Sequence, residues 1–118
     1  MVDPIRAARR IRLENDKETE ALLLRRSRAQ EVGRELAWNI VRAHPEVGKI
    51  WGFGSAFETW RNFRMTSDID LAVESGDILA LLSLVEDKEF QVDLLNLSSC
   101  QASMADFVRA QGVVLAGK

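Results

Sequence analysis

One cysteine, one histidine and two prolines are all that this chain carries of those residues, and each scarcity closes off a class of protein. With Cys100 alone, no internal disulfide forms, no zinc site of paired cysteines can be built, and redox chemistry is not expected. The single histidine, His44, sits beside Pro45 and reads as a helix C-terminal residue, so Cys100 has no evident base to make it a nucleophile. No stretch approaches the roughly 20 apolar residues of a membrane span. The longest apolar run, Ile78 to Val85, is short and broken by Ser83. The N-terminus is charged throughout Arg6 to Glu20, unlike a secretory signal, which pairs a basic start with an apolar stretch. A cytoplasmic protein with no membrane association is expected. The net charge of -2 gives no global reason for nucleic acid as the main partner.

What is present fits one soluble domain of 118 residues, long enough to bury a core without disulfides or structural metal. Arg6, Arg9, Arg10 and Arg12, then Arg25, Arg26 and Arg28, make the first third locally basic. Glu14, Asp16, Glu18, Glu20, Glu31 and Glu35 interleave with them. Mixed charge of this kind marks a solvated or partner-facing helix in preference to a DNA-binding surface.

From Ile5 to about His44 there is no proline and one glycine among good helix formers. Leu22, Ala29, Val32, Leu36 and Ile40, with Leu24 and Trp38 nearby, recur every three to four residues and outline an apolar stripe. Asn15-Asp16 either divides a short helix, Ile5 to Leu13, from the long one or lies within a continuous helix. Pro45 ends the helix, because it disfavours helical geometry at His44 and cannot extend the hydrogen-bond ladder.

Beyond Pro45 the pattern changes to short apolar runs, Val47 to Phe53, Ile69 to Val73 and Phe90 to Leu95, which read as strands. Asp77 to Val85 and Ser103 to Ala110 read as helices, and Val113 to Leu115 as a short final strand. The expected fold is α/β or α+β, a small mixed sheet flanked by helices with a long helix at the N-terminus. The expected organisation is an N-terminal helical extension, residues 1–44, packing on a domain of residues 45–118. Trp38, Trp51 and Phe53 are assigned to the core, and Trp60, in a loop, is the candidate for stacking on a base.

Polar groups stand in or beside three of the strands: Gly54-Ser55, Asp68-Ile69-Asp70-Leu71 and Gln91-Val92-Asp93-Leu94. Residues two apart in a strand share a face, so Asp68 and Asp70 project together. Paired carboxylates need solvent or a cation, and magnesium takes one or two of them together with water and phosphate oxygens. Asp93 on a neighbouring strand adds a third. Gly54 lets backbone approach a phosphate, and the Ser55 hydroxyl with nearby N–H groups makes an anion-binding concavity, strengthened if a helix begins at Ala56. Ser55 and Glu58 also fit a capping box. Arg61 and Arg64 in the following loop could meet the leaving pyrophosphate.

Gly54-Ser55, Asp68-Ile69-Asp70-Leu71 and Val92-Asp93-Leu94-Leu95 resemble the signature of the DNA polymerase beta superfamily of nucleotidyltransferases, and within it the minimal nucleotidyltransferases, many of which are antitoxins paired with HEPN-domain toxins. The resemblance spans roughly Val47 to Leu115. It implies that Gly54 and Ser55 bind phosphate, that Asp68, Asp70 and Asp93 hold Mg2+ or Mn2+, and that Asp93 helps activate the attacking hydroxyl. It implies transfer of a nucleoside monophosphate from an NTP, expected to be ATP, to a hydroxyl of a HEPN toxin in a toxin–antitoxin system. The alternative it leaves is a non-catalytic antitoxin that keeps the fold. The long helix is the expected surface for that toxin or for a second copy of the chain. Ala56 to Ser67 departs from the family pattern, being twelve residues without glycine where ten are usual.

Overall fold

The computed structural model describes residues 4–59 and 61–117, with side chains from Lys17 onward. Helix α1 (Pro4–Ala43) runs unbroken through Asn15-Asp16. At 1.5 Å per residue its 40 residues extend about 60 Å, and the long dimension of the molecule is 67 Å against 29 and 21 Å for the others. Proline stops it as expected, and Pro45–Val47 tightens into one 3-10 turn.

Strands β1 (Ile50–Phe53), β2 (Ile69–Val73), β3 (Val92–Asn96) and β4 (Val113–Ala116) form one sheet in the order β3-β2-β1-β4. β1 pairs antiparallel with β2 and β4, and β2 pairs parallel with β3. The mixed α+β sheet expected from the sequence is therefore the fold. The segment from Asp77 to Val85 is a four-residue helix, α2 (Ile78–Leu81), followed by a 3-10 stretch over Leu82–Val85. Asp77 starts it by accepting a hydrogen bond from the Leu79 N–H at 3.0 Å. Helix α3 (Ala102–Gln111) precedes β4.

Strand alternation divides the apolar residues between two faces. Ile50, Ile69, Leu71 and Val73 pack on one side against Ala29, Val32, Leu36, Ala37 and Ile40 of α1, with Val92 and Leu94 at the margin. Trp51 and Ala72 pack on the other against Ala105 and Val108 of α3, beside Phe53 and Leu95. Trp51, Phe53 and Cys100 thus lie where small cores need them. Trp38 does not: it is 54% exposed. It follows Ala37 on a helix that turns about 100° per residue, and that single step carries it off the buried stripe. Leu24, at 70%, is likewise outside the core.

Candidate functional site

β1 and β2 run in opposite directions, so the end of β1 and the start of β2 meet, and the parallel pairing brings the start of β3 beside them. Phe53 faces Asp70 across β1 and β2. Asp70 and Asp93 are register partners across β2 and β3, so both side chains leave the face that α3 covers further along. Asp68 lies in the extended lead-in to β2, where the Ile69 N–H donates to the Gln91 carbonyl at 2.9 Å. Asp68 and Asp70 are half-buried and Asp93 is exposed.

Gly54 follows β1 at φ 73, a left-handed conformation that favours glycine. A Cβ there would run into Asp70 Oδ2. The glycine therefore lets the turn after β1 lie directly on the carboxylate.

No helix begins at Ala56. Phe57 and Glu58 donate their N–H groups to the Gly54 carbonyl at 3.1 and 2.9 Å, closing an isolated turn. A helix-terminus contribution at Ser55 is thereby removed, and with it the helix a capping box would start. Two α1 side chains hold the turn instead. Arg26 Nε donates to the Ser55 carbonyl at 3.3 Å, and Gln30 Nε2 to the Ala56 carbonyl at 2.7 Å. In a trans peptide the N–H points opposite the carbonyl. Fixing the Ser55 carbonyl toward α1 thus turns the Ala56 N–H away from α1.

The Phe57 ring anchors the turn from below. A Cβ at Gly33 of α1 or at Gly52 of β1 would come within 2.7 Å of this ring, so two glycines open the slot that it fills.

Asp70 shows the electrostatic character of the site. Its pKa is raised to about 6, first by burial and then by the negative charges of Asp93 and Asp68. Arg61 acts in the opposite direction, and Glu58 adds to the rise. Arg61 is therefore part of the site's field, whereas Arg64 is exposed and is not among the charges shifting Asp70. The Arg64 backbone N–H is held by Ser67 Oγ at 2.8 Å. Among the described residues no three acidic, histidine or cysteine side chains are already gathered around one point. The backbone nevertheless brings three carboxylates to one sheet end, and their oxygen-only donor set fits magnesium or manganese.

Glu58 lies near enough to the site for its charge to act on Asp70, a placement that its capping spacing in the sequence hides. It is 2% exposed, yet neither carboxylate oxygen has a hydrogen-bond partner. The basic cluster of α1 also has structural work. Arg25 donates to the carbonyls of Met65 and Glu89 at 3.1 and 3.3 Å and stacks over Phe90 at 4.4 Å. Arg28 pairs with Glu31 and Glu89. These arginines tie the loops around the sheet end to the helix. The side chains of Arg6, Arg9, Arg10 and Arg12, and Trp60 with its expected stacking role, lie outside the described residues. No described helix is long and apolar enough to cross a membrane.

No protein-family model and no curated protein matches the chain. Solved structures do. A toxin–antitoxin crystal structure with AMP-PNP is similar at 28% identity and a TM-score of 0.56, over 72% of this chain and 73% of that one. The toxin–antitoxin complex MntA–HepT is similar at 26% and 0.55, over 75% and 73%. A mutant of such a complex, with two aspartates two positions apart changed to glutamate, is similar at 27% and 0.54, over 69% of each chain. The fold is that of the minimal nucleotidyltransferases. The expected resemblance thus has a structural counterpart, and the sheet is what sets Gly54 against Asp70 and Asp70 beside Asp93.

Proposed function

We propose that this chain is a nucleotidyltransferase antitoxin that transfers a nucleoside monophosphate from ATP to a hydroxyl group of a HEPN-type toxin. The observation that carries this reading is the meeting of the Gly54 turn with Asp70, and of Asp70 with Asp93, at one open sheet end. The likeness to toxin–antitoxin complexes, one of them with AMP-PNP, supports both the nucleotide and the partner.

Asp68, Asp70 and Asp93 would hold Mg2+ or Mn2+, which supplies positive charge to the triphosphate and acidifies the attacking hydroxyl. The Gly54-Ser55 turn receives phosphate oxygens through the Ser55 hydroxyl and the Ala56 N–H, and Arg61 faces the pyrophosphate end. The toxin hydroxyl oxygen attacks the α-phosphorus. Its proton passes to the Asp93 carboxylate, and the bond to the bridging oxygen breaks as pyrophosphate leaves. The exposed apolar residues of α1, Leu23, Leu24 and Trp38, form the surface on which the toxin docks. Residues 1–44 on this reading are a partner-binding extension that also completes the core of residues 45–118.

Mass spectrometry of the co-purified toxin after incubation with ATP and magnesium tests the proposal. A gain of one adenosine monophosphate is expected. A toxin bound but unchanged in mass would replace transfer with neutralisation by binding alone.

A further inference from the structure

Glu58 has no role in the reaction just described, and its placement is unusual. A carboxylate with no solvent exposure is costly unless paired, and removal of one member of a buried pair leaves the other charge uncompensated. The Glu58 side chain is fully buried, and Arg61 Nε stands 3.1 Å from its Oε2. The contact is an ion pair without hydrogen-bond geometry, since both Glu58 oxygens lack a hydrogen-bond partner. Arg61 itself is only partly covered, with 43% of its side chain exposed. Its guanidinium also lies over the Phe107 ring of α3, 5.7 Å from the centroid. The Arg61 side chain thus lies between a buried carboxylate and an aromatic face, and its charge reaches Asp70.

We infer that Glu58 is a positioning residue whose buried carboxylate fixes the Arg61 guanidinium at the mouth of the aspartate site, so that Arg61 meets the triphosphate of the bound nucleotide. The inference rests on the nucleotide-binding reading above and adds the device that makes a loop arginine part of the site. Glu58 orients Arg61 through Nε, the guanidinium nitrogen nearest the backbone. Attraction between a buried carboxylate and this nitrogen restricts where the guanidinium can lie. The Glu58 N–H that closes the turn on the Gly54 carbonyl belongs to the residue whose carboxylate faces the arginine, so turn and ion pair are built together.

The test compares Glu58→Gln, Glu58→Asp, Arg61→Ala and the double variant Glu58→Gln with Arg61→Ala, each first checked for an unchanged circular-dichroism spectrum. Calorimetry with ATP and magnesium should show Glu58→Gln and Arg61→Ala each weakening binding about ten-fold, equivalent to about 1.4 kcal/mol. The double variant should be no weaker than Arg61→Ala alone. Glu58→Asp should recover part of the loss. Additive losses, or a Glu58→Gln variant that binds ATP like wild type, would overturn the inference. A second measurement needs no nucleotide: the Arg61 Nε–H resonance in 15N spectra should be sharp in wild type and broadened in Glu58→Gln. An Arg61 signal indifferent to Glu58→Gln overturns the inference even if ATP binds. ATP binding lost in Asp68→Ala with Asp70→Ala but not in Glu58→Gln contradicts Glu58 alone. No ATP binding by the wild type contradicts the parent reading, and the resonance then decides the Glu58–Arg61 pair by itself.

Discussion

Asp70 and Asp93 stand opposite each other across the parallel pair of β2 and β3, two carboxylates on one face of adjacent strands. Burial and this neighbour, together with Asp68, raise the Asp70 pKa to about 6. A raised carboxyl pKa means that the folded state holds the proton more tightly than the unfolded chain. Between roughly pH 4 and pH 6 folding therefore takes up a proton, and this group's contribution to stability falls as pH rises through that window. Asp70→Asn removes the penalty. In metal-free buffer at pH 7.5 the variant should exceed wild type by about 1 to 2 kcal/mol, a value discounted for the solvent that reaches this half-buried group. Urea denaturation should show the difference vanishing below pH 4. A variant less stable than wild type at pH 7.5 would count against a strained acidic pair.

Magnesium should reverse that ranking. A cation bound to the folded state alone stabilises it in proportion to RT ln(1 + [L]/Kd), about 2.7 kcal/mol at a hundred-fold excess over Kd. The melting temperature of wild type at pH 7.5 should rise with magnesium or manganese, and that of Asp70→Asn should stay flat. Equal rises would place the ion elsewhere.

The Gly54 turn makes a separate prediction. Gly54→Ala adds a Cβ at φ 73 and drives it into Asp70 Oδ2. Stability should fall by roughly 1–3 kcal/mol, and ATP affinity should fall further than stability explains, because Asp70 must move. Thermal melts and calorimetry on one preparation separate the two effects.

Phe57 tests the support beneath the turn. Its ring fills the slot between Gly33 and Gly52, and Phe57→Ala should cost about 3–5 kcal/mol in chemical denaturation. A loss below about 1 kcal/mol would mean that the slot collapses or that the ring is dispensable.

Much of the arrangement at this sheet end is legible in the sequence, and the remainder is hidden for identifiable reasons. Asp68 and Asp70 could be paired by strand period alone, and Pro45 fixed the end of α1 because its ring chemistry is local. Asp93 needed the sheet order, since only the parallel pairing of β2 with β3 brings it beside Asp70. The turn at Gly54 looked like a helix start because Ser55 and Glu58 have cap spacing, but tertiary bonds from Arg26 and Gln30 hold it as a turn. Trp38 shows the limit of periodicity on a long helix: one residue past the stripe is enough to put an indole in solvent. Phe57 owes its burial to the slot between Gly33 of α1 and Gly52 of β1, which no local pattern announces.

The direct test of the account is the heat of ATP binding in the presence and absence of magnesium, for wild type and for Asp70→Asn with Asp93→Asn. Saturable binding that requires magnesium and disappears in the double variant is the predicted result. Magnesium-independent binding, or binding unchanged when both aspartates are replaced, would contradict it.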